Sequence, residues 1–498
     1  MVLLHVAVIG GGAAGIVAAK CLRDEGHSVI VFEKSHSVGG VWKYNEDITA
    51  DSCTYKSLRT NLPTAVMQFK GFPFPADVPS YPSHVDVLRY IKSYAEHFKV
   101  TDVTRLNSSV TSVRKSGDGG AAWRICVSST ERGEYEEQVD RVVVCNGHFS
   151  EPFCATVKGI ENFRGTKVHS KSYRSPERYA NKTVLIIGRG PSGGEISREL
   201  ANNGAAGVIV SSQNYVAEAD SDCGVQPNNR QKQAGLDHVE ADGTVVLTDG
   251  VRLPPGSAAS TSQHLNLGAS DTRVLKPDID FIDAAGDVHF IDSSSIASPD
   301  VIIYCTGYVY SVGNFLPSDL LFPKAAADLE KVGLEHELSV EVVAAAAAGV
   351  AVAPTYKQVF SIEDPTLAFI GLPFDTATFQ CFELQSVWLS RIFSGSIILP
   401  SKPDMYAAFC EEIRQTKPPV RKNIHSLGLK HFPYFTELWT LSKCPIDLVA
   451  LALFGDAAFL LLNFDNFRSA TYVHDTNTGK WIRRFILKGT LTVDVKTF

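Results

Sequence analysis

Two glycine-rich segments, each at the exit of an apolar stretch, are the residues of this chain best suited to gripping a phosphate. Gly10-Gly11-Gly12-Ala13-Ala14-Gly15 follows Leu3 to Ile9, and Gly188-Arg189-Gly190-Pro191-Ser192-Gly193 follows Val184 to Ile187. A pyrophosphate can rest against a helix N-terminus only where the strand-to-helix turn carries no obstructing side chains. GxGxxG supplies that clearance together with unpaired N–H donors. The first copy also has Glu33 closing the apolar run Ser28 to Phe32, where a carboxylate accepts both ribose hydroxyls. Either loop alone could be a ligand-free tight turn. With a strand before and a helix-compatible stretch after each, the expectation is two dinucleotides in one chain, the first loop carrying the stronger signal. The run Gly207 to Val210 ends in Ser211-Ser212-Gln213, without a carboxylate to hold a free 2'-hydroxyl or repel a 2'-phosphate, so NADPH is expected over NADH. Arg189, Arg230 or Lys232 would supply the matching charge, and use of both nucleotides stays open.

The elements that must position these loops can be followed along the chain. At 498 residues, 44% hydrophobic and 20% charged, it is long enough for two or three ordinary globular domains. The net charge of −7, with no basic run, argues against nucleic acid. Ten cysteines lie scattered without a CxxC spacing, which fits reduced thiols in a cytoplasmic setting and neither a metal site nor a redox-active dithiol. The first strand starts within a few residues of Met1, so a secretory leader is not expected. Ser83 with Asp86 forms a capping box for a helix whose Leu88, Ile91, Ala95 and Phe98 recur at helical spacing. Alternating segments around Asn107 to Val113 and Ala122 to Ser128 precede a short apolar strand, Arg141 to Cys145, which ends at Asn146-Gly147-His148, a natural crossing point between domains. The polar stretch from about Ser211 to Ser298 reads as the looped remainder of an inserted domain, and the strand Val301 to Tyr304, running into Cys305-Thr306-Gly307-Tyr308, reads as the return crossing. The expected fold is therefore α/β: two Rossmann-like domains, the second (153–304) inserted between the halves of the first (1–152 and 305–498). Val342 to Ala353, rich in alanine, is a local elaboration whose helix or strand state stays open. Leu448 to Leu462 is strongly apolar but interrupted by Gly455 and Asp456, so burial or an interfacial contact is expected rather than a membrane span.

Between the glycine loops lies Phe163-Arg164-Gly165-Thr166-Lys167-Val168-His169-Ser170-Lys171-Ser172-Tyr173, which resembles the FxGxxxHxxx(F/Y) fingerprint of the flavin-containing monooxygenases. Val38-Gly39-Gly40-Val41-Trp42, Leu58-Arg59-Thr60-Asn61-Leu62-Pro63, the YPSH segment at Tyr81, Cys305-Thr306-Gly307-Tyr308 (Cys for the family's Ala), Gln358-Val359-Phe360, Ile370-Gly371-Leu372-Pro373 and Glu383-Leu384-Gln385-Ser386 are similar to that family in the same order. Asp447 to Gly455 and Gly479-Lys480-Trp481 resemble its C-terminal region, so the likeness runs through nearly the whole chain.

The resemblance implies that Gly10, Gly11, Gly12, Ala13, Ala14, Glu33, Val41, Trp42 and Asn61 contact FAD. It implies equally that Thr60, Asn61, Ser192, Gly193, Gly194 and Glu195 contact NADPH. Gly15, Gly40, Leu62, Gly188, Gly190, Ser211 and Gln385 complete the cofactor-binding candidates, and Asn61 is the catalytic one. Taken alone, Trp42 would be a core aromatic, Asn61 a turn residue and His169 an ordinary histidine. His169 is assigned to the interdomain connection, without a proton-transfer role. The family's chemistry oxygenates a soft sulfur or an uncharged amine nitrogen of a small molecule through a C4a-hydroperoxyflavin formed with O2. It needs no protein nucleophile, only a closed site that excludes water. A Baeyer-Villiger fingerprint ends in Trp-Pro, whereas Tyr173-Arg174 stands here. An uncoupled NADPH oxidase and a non-catalytic flavin-binding protein are the remaining alternatives. The chain ends after Lys488 to Asp494 without the family's apolar anchor, so peripheral contact with the endoplasmic reticulum membrane through the Leu448 region is the most expected; a homodimer is compatible with the resemblance.

Overall fold

The computed structural model describes residues 3–117, 122–212, 273–317, 325–416, 424–463, 467–476, 478–486 and 493–498, with the short strands Leu236–Val239, Val245–Leu247 and Arg252–Leu253. Arg230 and Lys232 lie outside the described residues, as do residues 487–492 of the C-terminal stretch.

Five parallel strands form the heart of the first domain, in the order Leu367–Phe369, Arg141–Val144, His5–Ile9, Ser28–Phe32 and Thr104–Arg105, with Thr355–Tyr356 and Phe360–Ser361 added antiparallel at one edge. Side chains alternate across a strand, so His5–Ile9 serves two cores. Val6 and Val8 point into a cluster with the helices Ala13–Asp24, His84–His97 and Thr378–Phe393. Ala7 and Ile9 point the other way, onto an antiparallel layer built from Ser108–Lys115, Trp123–Ser129 and Gly133–Val139. Burial on both faces explains why these strands read as unbroken apolar runs. Gly133–Val139 was not visible in the sequence because its glutamates face solvent and little of it is buried. Ser83 and Asp86 do cap the His84–His97 helix reciprocally.

The second sheet has the order Val274–Lys276, Gly207–Ser211, Thr183–Ile187, Val301–Tyr304 and Thr166–His169, all parallel. Val184, Ile186, Val208, Val210 and Ile303 pack on Ile196 and Leu200 of the helix Pro191–Asn202. Leu185, Ile187, Ile209 and Ile302 pack on Phe163, Ile282 and Phe290. All of these strands lie between Arg141–Val144 and Leu367–Phe369 in sequence, so the second domain is inserted in the first. The stretch read as looped holds more order than expected, since Val274–Lys276 adds the fifth strand and Ile279–Ile282, Val288–Phe290 and Ser295–Ile296 form an antiparallel layer. Their brevity and the turn residues around Asp283 and Gly286 hid them.

The alanine-rich segment is helical only as far as Ala347, in the helix His336–Ala347 that buries Val342, Ala345 and Ala346, and its remainder to Ala353 is irregular. Leu448–Asn463 is also helical, and Asp456 within it is only 3% exposed. Its carboxylate accepts from the Tyr472 hydroxyl at 2.8 Å and Arg483 Nε at 3.1 Å, with Lys496 Nζ at 3.6 Å. Such a buried charge must be paired, and here it pins the apolar helix to the C-terminal antiparallel sheet (Thr471–Asp475, Lys480–Ile486, Val493–Thr497). Among the described residues no helix is long and apolar enough to cross a membrane.

Candidate active site

At the first glycine loop the backbone leaves no room for side chains where the chain turns. Gly10 has φ +111°, and a Cβ there would meet the Cys145 carbonyl oxygen at 2.4 Å; a Cβ on Gly15 would meet the Gly10 oxygen at 1.9 Å. Gly12, by contrast, faces space, its nearest neighbour being Gly40 Cα at 3.5 Å, and Gly40 itself has φ +56°. The Gly39 N–H donates to the Gly11 carbonyl at 2.9 Å, so the Gly40–Trp42 turn hangs over the loop. Behind it the Ala13–Asp24 helix has neither a side-chain cap nor an acid in its first turn, leaving its N–H donors and its positive dipole end for an anion. Ala13 and Ala14 are buried in that turn.

Glu33 is 5% exposed and accepts from the Gly11 N–H at 2.7 Å and the Ser35 N–H at 2.9 Å, while Lys43 Nζ stands 3.5 Å away. The Ser35 hydroxyl also donates to Oε1, at 2.5 Å, so of about four lone-pair directions the one left open lies on Oε2, where a ribose hydroxyl can donate.

The second loop repeats this construction. Gly188 has φ +102° with its Cβ position 2.5 Å from the Cys305 oxygen, and a Cβ on Gly193 would lie 2.0 Å from the Gly188 oxygen. Gly190 has nothing within 4 Å. The Pro191–Asn202 helix has Pro at its start, no side-chain cap and no acid in its first turn, with Ser192 exposed there. Gly194 is buried, and its carbonyl accepts from Arg198 Nε at 3.1 Å and Arg273 Nη1 at 3.2 Å. Cys145-Asn146-Gly147 and Cys305-Thr306-Gly307 are thus equivalent: each follows a strand paired parallel with the strand that leads into the glycine loop, and closes against that loop. These cradles and their uncapped helices fit a dinucleotide pyrophosphate each.

The two halves meet at Thr60 and Glu195. Thr60 is 4% exposed and its buried hydroxyl oxygen has no partner among the described residues, while Asn61 beside it is exposed. Arg468, from the C-terminal segment, donates from Nε to the Thr60 carbonyl at 2.9 Å and from Nη2 to the Glu195 carboxylate. The other Glu195 oxygen accepts from the Tyr55 hydroxyl. Burial, and then the Glu195 charge, pushes the Tyr55 phenol well above its usual range, so it remains a donor.

The fingerprint segment joins the domains. A Cβ on Gly165 would strike the Phe163 ring at 2.4 Å, which accounts for glycine two residues after Phe163. His169 Nε2 donates to the Gly307 carbonyl at 3.0 Å and Nδ1 accepts the Lys171 N–H at 3.1 Å. Those partners fix a neutral tautomer, and burial lowers its pKa further. Arg174, 1% exposed, donates to the carbonyls of Lys171, Tyr173, Asp47 and Ser52, stitching the segment to the first domain.

Other candidates act as supports. Gln385 is fully buried, accepting from the Gly371 N–H at 3.0 Å and donating to the Tyr434 hydroxyl at 2.7 Å. The buried Ser211 hydroxyl donates to the Pro277 carbonyl at 2.7 Å. Trp42 meets Phe379 edge-on with centroids 6.4 Å apart, Leu62 is buried, and Val41 is 37% exposed. Sequence reasoning missed Tyr55, Arg273 and Arg468, whose types are unremarkable and whose partners lie 76 to 409 residues away.

Fold and site together define a protein with two Rossmann-like dinucleotide-binding domains. The flavin-binding monooxygenase-like family model matches residues 4–225. A flavin-containing monooxygenase of Arabidopsis thaliana, FMO GS-OX-like 4, is 32% identical over 467 residues, covering 88% of this chain and 87% of that one. Another from the same plant, FMO GS-OX3, is 33% identical over 89% of this chain and 85% of its own. S-allyl-L-cysteine S-oxygenase from Allium sativum superposes with a TM-score of 0.73 at 28% identity, covering 96% of this chain and 97% of the other. Tmm from a Pelagibacter strain shares the fold, with a TM-score of 0.69 at 19% identity over 96% of this chain and 95% of its own. The chain belongs to the flavin-containing monooxygenases, NADPH-dependent oxidoreductases that work with FAD on small molecules and O2.

Proposed function

We propose that the chain transfers one oxygen atom from O2 to a soft sulfur, or secondarily an uncharged amine nitrogen, of a small molecule. In this reading residues 1–152 and 305–498 hold FAD and residues 153–304 hold NADPH. FAD, when bound, supplies the two-electron chemistry that activates O2. The protein's part is to hold and to exclude. Gly10, Gly11, Gly12, Ala13, Ala14, Gly15 and the overhanging Gly40, Val41 and Trp42 embrace FAD, with Glu33 on its ribose. Gly188, Gly190, Ser192, Gly193 and Gly194 cradle the NADPH pyrophosphate; Arg198 on that helix and Arg273, which donates to it from beside the strand Val274–Lys276, add positive charge, favouring NADPH over NADH. Thr60 and Asn61 face the reacting rings, where Asn61 donates a hydrogen bond and the Thr60 hydroxyl, without a partner among the described residues, receives one from, or gives one to, the cofactors. Glu195, Leu62, Ser211 and Gln385 shape the site from behind.

The observation that carries this is the link from the helix of the second cradle to the Thr60 loop of the first domain, made by Glu195 through Arg468. The S-oxygenase relative favours sulfur. The Baeyer-Villiger alternative is disfavoured by Arg174, because a proline in its place could supply none of the bonds that hold the fingerprint. Peripheral membrane contact would use Leu448 and Val449, 48% and 43% exposed. The test is a turnover balance: purified protein with NADPH and S-allylcysteine should form sulfoxide in step with NADPH consumed. Peroxide in place of sulfoxide, with thioethers and tertiary amines alike, would leave an oxidase instead.

A further inference from the structure

One acid stands in the second nucleotide helix near its open end, and it is matched from outside its own domain. Glu195 lies three residues beyond Ser192 on Pro191–Asn202, where the carboxylate of an unpaired side chain would face the phosphates that the helix N-terminus attracts. Its two oxygens are instead taken by Tyr55 of the first domain and Arg468 of the C-terminal segment. Arg468 also donates to the carbonyl of Thr60, and its Nη2 lies 3.4 Å from the Arg59 carbonyl. One guanidinium therefore binds three segments together: the loop before Asn61, the nucleotide helix and the region after the apolar Leu448–Asn463 helix. Arginine suits this task because its planar fork offers several donors and its charge is permanent.

We infer that Arg468 is a positioning residue for the nicotinamide nucleotide: it neutralises Glu195 beside the phosphate cradle and fixes the distance between that helix and the Thr60 loop. The inference rests on NADPH occupying the second cradle and gives the C-terminal segment a part in nucleotide affinity. Its signature is an asymmetry. Removing Arg468 exposes a negative charge to a polyanionic ligand, whereas removing Glu195 removes that charge.

The test is equilibrium binding of NADP+ to the FAD-loaded full chain by titration calorimetry, in R468Q, E195Q, the double variant and R468K. R468Q should weaken binding about tenfold, a coupling of ordinary size for charges in contact. E195Q should lose less affinity than R468Q, the double variant should recover most of the loss, and R468K should fall between. Hydrogen exchange of residues 191–202 without nucleotide should rise in R468Q, a readout independent of turnover. Unchanged binding in R468Q overturns the inference, as does a double variant no better than R468Q. If the unaltered protein fails to bind NADP+, the cofactor assignment itself falls, which is a separate outcome from a failure of the Arg468 variants alone.

Discussion

Gly190→Ala should separate nucleotide binding from folding, because its methyl group would meet no neighbour among the described residues. Gly190 has φ −66° and ψ −174°, which alanine adopts freely, and nothing lies within 4 Å of its Cβ position. Two small effects act on stability. Alanine is a poorer N-cap than glycine, and glycine loses more chain entropy on folding; each is about 0.5 to 1 kcal/mol and they oppose each other. The melting temperature should therefore move by no more than about 2 °C. In the proposed placement of NADPH the pyrophosphate approaches the backbone in the space beside Gly190. A methyl group forced into such a close contact costs about 1 to 3 kcal/mol, a loss of about 5- to 150-fold in affinity. Thermal unfolding, FAD absorbance and the KM for NADPH, measured on one preparation, give the answer: normal stability, normal yellow colour and a KM raised at least about fivefold. Gly193→Ala is the control, since its Cβ would overlap the Gly188 oxygen at 2.0 Å and must displace backbone, so stability falls as well. A Gly190→Ala protein with the original KM would refute the placement of the nucleotide on this loop.

Gly12→Ala, whose Cβ meets only Gly40 at 3.5 Å or beyond, should fold yet lose FAD, seen as colourless protein with a near-normal circular dichroism spectrum. Asn61→Ala should keep FAD and NADPH oxidation while releasing most reducing equivalents as peroxide; coupled turnover would remove Asn61 from the chemistry. Asp456→Ala leaves Arg483 buried without its carboxylate and should cost about 3 to 5 kcal/mol of stability, read from denaturant unfolding. Burial pushes His148 down to about 4 and His425 down to about 3, both below the ordinary 6.5. Each is neutral in the folded chain, so the unfolded chain binds its protons first, and stability present above pH 6.5 is lost as pH falls toward those values. His425→Gln should flatten the stability–pH slope between pH 6.5 and 4 by about 1.4 kcal/mol per unit; an unaltered slope contradicts its buried neutral state.

What could be read directly from the sequence was whatever the backbone dictates locally. Gly10, Gly15, Gly188 and Gly193 are glycine because a carbonyl oxygen occupies their Cβ positions, and that constraint leaves a fixed spacing. The Ser83–Asp86 cap and the strands buried on both faces are likewise local or periodic. The alanine-rich helix was ambiguous because alanine packs in either state; burial of Val342 and Ala345 by the first domain decided it. Gly133–Val139 and the layer after residue 279 escaped because short, half-exposed strands carry little pattern. Arg174, Arg468 and Tyr55 were illegible for another reason. Their roles exist only once segments distant in sequence are brought together, and no spacing encodes a guanidinium donating to the Thr60 carbonyl.

The central claim is that this chain moves an oxygen atom from O2 onto a soft nucleophile at the expense of NADPH. Turnover of S-allylcysteine under 18O2 with mass analysis of the product addresses it directly. The account predicts a sulfoxide carrying one labelled oxygen for each NADPH oxidised. Unlabelled product, or NADPH oxidation that yields peroxide and no sulfoxide, would contradict it.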